Sequence, residues 1–249
     1  IMRALLCLLV LLLAVPARAD APYDSHKNIS YYLHPRNTLD IYTPKRIDPT
    51  YPVPVIIFFH GGSWQSGDKE PYFFLGETFA SRGYIVVVPN YRLYPEVRFP
   101  AFVEDAAWAL RFVHDNISTY GGDPNRIFVM GHSAGAHIAL MLTLNPEYAK
   151  QAVADATWIR GAVGLGGVYD SLPQKHDTRI LSDLFANSKN IRDALPIGYT
   201  KGKKPPVFLA AGTDDDITPA SNARHLAARL RVSGNRVQTR IYPGMDHGE

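Results

Sequence analysis

The stretch "FVMGHSAGAHIAL", Phe128–Leu140, places a serine between two glycines where an apolar run gives way to a helix-forming one. The residues from Gly131 to Gly135 have the form G-x-S-x-G, which is informative when a strand precedes it and a helix follows. Such a tight turn leaves no room for side chains beside the serine. The stretch therefore predicts a strand–turn–helix unit that lifts the Ser133 hydroxyl above the carboxyl edge of a sheet.

Strand-like and helix-like runs alternate on both sides of this unit, a pattern typical of a mostly parallel sheet flanked by helices. The predicted strands are "TLDIYTP" (a short edge strand), "VPVIIFFH", "YIVVVPNYR", "RIFVM", "GAVGLGG", "PVFLAAG" and "VQTRIYP". The predicted helices are "YFFLGETFASRG", Phe102–Val113, Ala134–Leu144 and "SNARHLAARLRVSG". The fold class is therefore α/β, with one domain over residues 20–249. Between Ser171 and Pro205 the alternation stops, and we expect this segment to form a short cap over the site.

Length and charge exclude several classes of protein. The 249 residues suit a single α/β domain, and an apolar share of 46% is enough for a sizeable core. The 26 Lys and Arg residues nearly balance the 23 Asp and Glu residues, with a formal net charge of +3. This balance lacks the basic stripe of a nucleic-acid-binding protein. We therefore expect a small-molecule partner and no nucleic acid.

The first 20 residues, "IMRALLCLLVLLLAVPARAD", have the features of a secretory signal peptide. Arg3 is the basic region, an apolar run follows, and Ala17-Arg18-Ala19 is a small-x-small cleavage site. A membrane helix needs about 20 apolar residues, and this run is shorter. We expect a signal peptide over residues 1–19, a secreted or periplasmic protein and no stable membrane anchor. Cleavage would also remove the sole cysteine of the sequence, Cys7.

A serine hydroxyl becomes a nucleophile when a base accepts its proton and a carboxylate orients that base. Of the nine histidines, His247 follows the last predicted strand through a Pro-Gly turn and is expected near Ser133. The others are interpreted as surface or packing residues: His176 and His225 are expected to be exposed, and His137 to pack along its helix.

The acid is expected in the loop after the preceding strand. There "AAGTDDDITP" offers three carboxylates, Asp214, Asp215 and Asp216, and the residues alone do not choose among them. The order serine, acid, histidine along the chain is the order of an α/β-hydrolase triad.

Acyl transfer also requires donors for the oxyanion that develops on the substrate. The stretch "HGGSW", His60–Trp64, follows a predicted buried strand, and its small residues let backbone N–H groups face the serine. We expect the N–H groups of Gly62, Ser63 and Ala134 to be these donors and His60 to be structural. The sequence has no H-E-x-x-H motif or cysteine cluster, so no metal or cofactor is expected.

With these residues in place, the sequence resembles the α/β-hydrolase esterases of the hormone-sensitive-lipase and feruloyl-esterase-like type. The resemblance extends from about Leu39 to His247 through "LDIYTP", "HGGSWQSGDK", "YRLYPEVRFPAFVEDAAWALRFV", "YGGDPNRIFVMGHSAGAHIAL", "GGVYD" and "AGTDDDITP". It implies the α/β-hydrolase fold: a mostly parallel central sheet flanked by helices, with a short cap insertion. "HGGSWQSGDK" is also similar to isoprenylcysteine methylesterases, and "HGGSWQ" to the H-G-G-x-W motif of kynurenine formamidases.

Carried over by position, the resemblance assigns the nucleophile to Ser133, the acid to Asp215 and the base to His247. It assigns the oxyanion donors to Gly62, Ser63 and Ala134. It also implies structural roles for Glu96 and Asp105.

The sequence departs from the family pattern at two points. Ser63 stands where lipase-type members have the third glycine of H-G-G-G, which keeps the N–H and adds a side chain to the acyl site. The sequence also stops two residues after His247, where family members continue into a helix that covers the last strand. We therefore expect a reading frame truncated after residue 249 and a partly bare sheet face.

The predicted function is that of a secreted serine carboxylesterase acting on small, short-acyl or aromatic esters through an acyl-serine intermediate. The cap segment is short and polar, with "KHDTR" and "KGKK", which favours water-soluble esters over triglyceride. Alternatives are an arylformamidase or an isoprenylcysteine-methylesterase-like hydrolase and, from another class, a non-catalytic binding module. The sequence leaves the oligomeric state open.

Overall fold

The central element is a sheet with the strand order β1-β2-β4-β3-β5-β6-β7-β8. The computed structural model describes residues 23–173 and 176–248; the predicted signal peptide, residues 1–19, lies outside them. The strands are β1 (Tyr23–Ser30), β2 (Thr38–Pro44), β3 (Val53–Phe59), β4 (Ile85–Pro89), β5 (Gly122–His132), β6 (Ile159–Leu165), β7 (Val207–Gly212) and β8 (Val237–Tyr242). The helices are α1 (Phe73–Ala80), α2 (Ala101–Asn116), α3 (Ala134–Leu144), α4 (Pro146–Gln151), α5 (Thr178–Leu184) and α6 (Ser221–Val232).

Strands β3 to β8 are parallel, whereas β1 and β2 are antiparallel to their neighbours. The prediction that "TLDIYTP" is an edge strand was wrong, because β1 covers β2 on that side. The sequence of β1, "YDSHKNIS", is polar and mostly exposed, so it carries no apolar alternation to predict a strand. Polar contacts hold it instead: the buried Asp40 of β2 accepts hydrogen bonds from Lys27 Nζ and the Asn28 amide, each at 2.9 Å.

Helices cover both faces of the sheet, which explains why its inner strands are continuous apolar runs. On one face α2, α3 and α6 bury the main core, including Ile57, Leu140 and Leu226. On the other face α1 packs against β2 and β4 over a smaller cluster with Tyr42 and Val86.

The second face of the sheet carries a cavity beyond α1. Its volume is about 570 Å³, and Phe58, Phe208, Tyr242 and Met245 are among its lining residues. Its rim reaches His247 and Asp215, but Ser133 does not line it. This cavity therefore adjoins His247 and Asp215 but does not include Ser133 in its lining.

The described residues of the predicted cap segment, 171–173 and 176–205, contain α5 and two short 3₁₀ turns. Asp183 of α5 anchors it to the body of the protein. Its carboxylate pairs with Arg98 at 2.8 Å and accepts a hydrogen bond from the Tyr94 hydroxyl at 2.9 Å. The amide of Phe99 also donates to the carbonyl of Leu184 at 2.9 Å.

Within residues 23–173 and 176–248, none of the helices combines the length and apolar character that a membrane span requires. The same part of the chain contains no group of three or more His, Cys, Asp or Glu side chains arranged to hold a metal ion.

Candidate active site

Ser133 occupies the turn between β5 and α3. Its backbone has φ 55° and ψ −120°, a conformation that serine rarely adopts and that lifts the hydroxyl out of the turn. A Cβ at Gly131 would lie 2.3 Å from the Gly135 backbone, and a Cβ at Gly135 would lie 2.0 Å from the Phe59 carbonyl oxygen. Close approach of the backbone thus requires both glycines of the motif, as the sequence predicted.

Ser133, His247 and Asp215 form one continuous hydrogen-bonded chain. The Ser133 hydroxyl lies 2.8 Å from Nε2 of His247, and Nδ1 of His247 lies 2.9 Å from Oδ2 of Asp215. Since an ionised carboxylate only accepts, the His247 proton is on Nδ1, and Nε2 is left to accept from the serine. The structure therefore brings together the three side chains that the sequence singled out.

Asp215 is the carboxylate of the acidic triplet that reaches His247. It is buried, whereas Asp214 and Asp216 are exposed. Its Oδ1 accepts hydrogen bonds from the amides of Ile217 at 3.1 Å and Thr218 at 2.7 Å. Burial alone would raise the pKa of Asp215, but the hydrogen bonds from His247 and Thr218 outweigh it and lower the pKa. The carboxylate consequently stays ionised beside the histidine.

Thr218 is a member of this cluster that the sequence analysis missed. Its hydroxyl lies 2.8 Å from Oδ2 of Asp215, 3.1 Å from Nδ1 of His247 and 2.8 Å from the carbonyl oxygen of Gly166. A threonine three residues after an acid is common in loops, so no sequence signal separated it from its neighbours.

The loop that carries His247 is held from several sides. The amide of Asp214 donates to the carbonyl of Met245 at 3.0 Å, and the amide of Gly244 donates to the Thr213 hydroxyl at 2.8 Å. His132, the residue before Ser133, donates to the carbonyl of His247 at 2.9 Å. His247 is thereby fixed relative to both Ser133 and Asp215.

The HGGSW loop, residues 60–64, directly follows β3. Gly62, Ser63 and Trp64 all have positive φ, at 119°, 53° and 60°. A Cβ at Gly61 would lie 3.2 Å from Cβ of Ser133, so the loop runs directly beside the serine. The amides of Gly62 and Ser63 donate to no acceptor in the described part of the chain.

Buried rings hold the HGGSW loop in this unusual conformation. The indole N–H of Trp64 lies 3.3 Å from Nδ1 of His137, whose Nε2 donates to the carbonyl of Ala194 at 2.7 Å. His60 stacks on Tyr91 at 4.3 Å, and its Nδ1 lies 2.7 Å from the Gly61 carbonyl oxygen. These contacts agree with the structural roles expected for His60 and His137.

The third expected donor, Ala134, directly follows Ser133 in the chain. Ala134 is the first residue of α3, and the first amides of a helix have no intrahelical acceptor. The N-terminal end of a helix also favours negative charge. The amides of Gly62, Ser63 and Ala134 therefore remain available to an anionic oxygen near Ser133.

Other residues from the sequence analysis lie in structural contacts or at the surface. Asp105 is buried and forms a two-pronged ion pair with Arg92, and Glu96 accepts a hydrogen bond from His34 at 2.8 Å. His225 is exposed as predicted. The expectation that His176 is exposed was wrong: it is half-buried, because its Nε2 lies 2.7 Å from the Ser63 hydroxyl.

Comparison with known proteins places this arrangement in a family. The BD-FAE family model matches residues 39–230. The probable isoprenylcysteine alpha-carbonyl methylesterase ICME of Oryza sativa subsp. japonica is 33% identical over 239 residues, which are 89% of this chain and 57% of that protein. Esterase LipC of Mycobacterium tuberculosis is 31% identical over 244 residues, which are 91% of this chain and 60% of that protein. The chain thus spans somewhat more than half the length of these relatives.

A solved truncated form of a carbohydrate esterase from gut microbiota superimposes with a TM-score of 0.79 at 20% identity. The superposition covers 92% of this chain and 91% of that one. At this identity the likeness concerns the fold, and it confirms the α/β-hydrolase fold predicted from the sequence.

Proposed function

The chain belongs to the BD-FAE family of α/β-hydrolases, and we propose that it is a serine carboxylic ester hydrolase. The observation that carries the proposal is the chain of hydrogen bonds from Ser133 through His247 to Asp215, at 2.8 and 2.9 Å. A serine next to a neutral imidazole, itself oriented by a buried carboxylate, is the arrangement that activates a hydroxyl for acyl transfer.

In the acylation step, His247 Nε2 accepts the Ser133 proton while Oγ attacks the ester carbonyl carbon. The carbonyl oxygen becomes an oxyanion, which the N–H groups of Gly62, Ser63 and Ala134 stabilise. The imidazolium, stabilised by Asp215, then protonates the departing alkoxide as the carbon–oxygen bond breaks.

In the deacylation step, a water molecule takes the place of the alcohol. His247 accepts a proton from the water, whose oxygen attacks the acyl-serine carbonyl carbon. Collapse of the second tetrahedral intermediate breaks the bond to Ser133 Oγ, which recovers its proton from His247. The products are an alcohol and a carboxylic acid, and the side chains described here supply every proton transfer.

Small, short-acyl or aromatic esters are the proposed substrates, and a secreted or periplasmic location is proposed with them. A short, polar cap supports the substrate proposal, because it provides little apolar wall for a long acyl chain. The signal-peptide features of residues 1–19 support export.

A methylesterase is the second candidate. The observation that favours it is the 33% identity with the rice protein described as a probable isoprenylcysteine alpha-carbonyl methylesterase. The same acyl-serine chemistry would apply, with methanol as the leaving group and a bulky prenylcysteine acyl group beside the HGGSW loop.

Labelling and turnover of the full chain test the proposed function. We expect a fluorophosphonate probe to label the wild type at Ser133 and p-nitrophenyl acetate to be hydrolysed. Ser133→Ala should abolish both, while retaining the circular-dichroism spectrum of the wild type. Failure of the folded wild type to react would instead favour a non-catalytic binding module. A large preference for a prenylcysteine methyl ester or for N-formylkynurenine would move the assignment to a methylesterase or a formamidase.

A further inference from the structure

Ser63 and His176 connect the HGGSW loop to the cap segment. Oγ of Ser63 lies 2.7 Å from Nε2 of His176. Trp64, the next residue of the loop, packs edge-on against Phe185 of the same cap at 5.2 Å between ring centroids. The cap therefore holds two consecutive residues of the loop that runs beside Ser133.

The surroundings of His176 determine which of its nitrogens carries the proton. Its Nδ1 is buried and has no hydrogen-bond partner in the described part of the chain. A proton on Nδ1 would be a buried donor without an acceptor, which is costly and rare. A proton on Nε2 has an acceptor at once in the Ser63 oxygen. The neutral ring is therefore protonated on Nε2 and donates to Ser63.

This assignment leaves the Ser63 hydroxyl with its own proton to donate. A hydroxyl has one donor and two acceptor positions, and His176 occupies one of the acceptor positions. Apart from His176, the described residues offer the Ser63 hydroxyl no hydrogen-bond acceptor. The amide of the same residue also lacks an acceptor there. Because the amide nitrogen and Oγ of one serine are three bonds apart, both can donate to a single oxygen atom.

We propose that His176 holds the hydroxyl of Ser63 as a side-chain donor to the oxyanion, so that Ser63 contributes two hydrogen bonds to the tetrahedral intermediate. The inference rests on the proposed ester-hydrolase function. The hydroxyl keeps its proton throughout, since it donates a hydrogen bond and transfers nothing. His176 is a positioning residue, because it acts on the reaction through Ser63.

Removal of the hydroxyl alone is the first test. Ser63→Gly keeps the backbone N–H, and glycine accepts the φ of 53° at this position without strain. We expect kcat for p-nitrophenyl acetate to fall about tenfold to a hundredfold with KM changed by less than about threefold, because the lost bond forms mainly in the transition state. Ser63→Ala serves as a second variant with the same expected loss. A wild-type kcat in folded variants would overturn the proposal.

A double-mutant cycle then separates positioning from a general structural role. His176→Ala should lower kcat about threefold to tenfold, and His176→Gln, which retains a donor, should recover part of the loss. In the Ser63→Gly background, His176→Ala should have no further effect on kcat. Additive losses would overturn the proposal, since His176 would then act without Ser63.

The control variant is His225→Ala, which replaces an exposed histidine of α6 and should leave kcat unchanged. Thermal midpoints and circular dichroism establish that each variant is folded. An inactive wild type would contradict the ester-hydrolase function itself, whereas an active wild type with an equally active Ser63→Gly would contradict this inference alone.

Discussion

Nε2 of His132 donates a hydrogen bond to the main-chain carbonyl oxygen of His247 at 2.9 Å. The residue before Ser133 thus holds the loop that carries His247, the proposed base. A carbonyl oxygen only accepts, so Nε2 bears the ring proton of His132. Burial lowers the pKa of His132, which keeps the ring neutral near pH 7.

Loss of this bond should loosen the base without unfolding the protein. We expect His132→Leu to lower kcat about tenfold, because a misplaced base fails to meet the serine in the productive geometry. His132→Gln retains an N–H donor and should keep most of the activity. Steady-state kinetics with p-nitrophenyl acetate compare the two, and equal kcat values for the leucine and glutamine variants would contradict the prediction.

The acidic triplet offers a sharper comparison between adjacent residues. Asp215→Asn should lower kcat by about 10³ to 10⁴, because an amide in place of the carboxylate favours the wrong tautomer of His247. Asp214→Asn is the matched control and should cost less than about twofold, since Asp214 is exposed and its Oδ1 accepts from the Thr213 hydroxyl. Equal losses at the two positions would show that the carboxylate beside His247 is not the acid.

The strand–turn–helix unit and the inner strands could be predicted from the sequence, because each depends on a local pattern of residues. Ser133 lies on a turn where both flanking glycines are sterically required. The two glycines in the sequence therefore indicate the turn. Strand β1 was not predicted because hydrogen bonds from Lys27 and Asn28 to Asp40 hold it in the sheet. Polar contacts of this kind produce no alternation of apolar and polar residues in the sequence.

Within the site, the limit of prediction is set by long-range contacts. His247 was identified from its place after the last strand, since the carboxyl ends of parallel strands share an edge. Thr218 and His176 were missed as partners because their contacts depend on how loops fold over one another. His176 meets Ser63 across 113 residues of sequence, and no local pattern encodes that distance.

We expect Thr218 to help orient Asp215 and His247 without itself acting as the acid. Thr218→Val has nearly the same shape, removes the hydroxyl 2.8 Å from Asp215 Oδ2 and keeps the amide that donates to Oδ1. We expect kcat to fall about threefold to tenfold, because a buried carboxylate with one hydrogen bond fewer holds the imidazole less firmly. Thr218→Ser retains the hydroxyl and should remain close to wild type. If valine and serine gave the same kcat, the hydroxyl would have no part in orienting the base.

Two buried histidines should make the folded state sensitive to acid. Burial lowers the pKa of His60 and of His137 to about 4, from an ordinary value of 6.5. Between these values the unfolded chain binds more protons than the folded chain, so the free energy of unfolding falls as the pH falls. At about pH 4, each histidine has lowered the free energy of unfolding by about 3 kcal/mol relative to neutral pH.

His137→Gln tests this origin of acid sensitivity. Glutamine has no ionisable group, so urea unfolding from about pH 7 to about pH 4 should show a weaker pH dependence in the variant, with up to one proton fewer taken up on unfolding. His26→Gln, at an exposed position of β1, is the control and should keep the wild-type slope. An unchanged slope in His137→Gln would mean that other groups cause the acid loss.

The dependence of kcat/KM on acyl-chain length should show how much apolar surface the cap offers to the acyl group. A pocket that buried each added methylene would gain about 0.8 kcal/mol, or about a fourfold rise in kcat/KM, for every carbon. The cap segment is short and polar, so we expect p-nitrophenyl esters to be hydrolysed best from acetate to butyrate and far more slowly beyond about eight carbons. Methyl ferulate and acetylated xylan in the same panel separate aromatic from carbohydrate esters. A maximum at palmitate would require an apolar acyl channel and would contradict the preference for small esters.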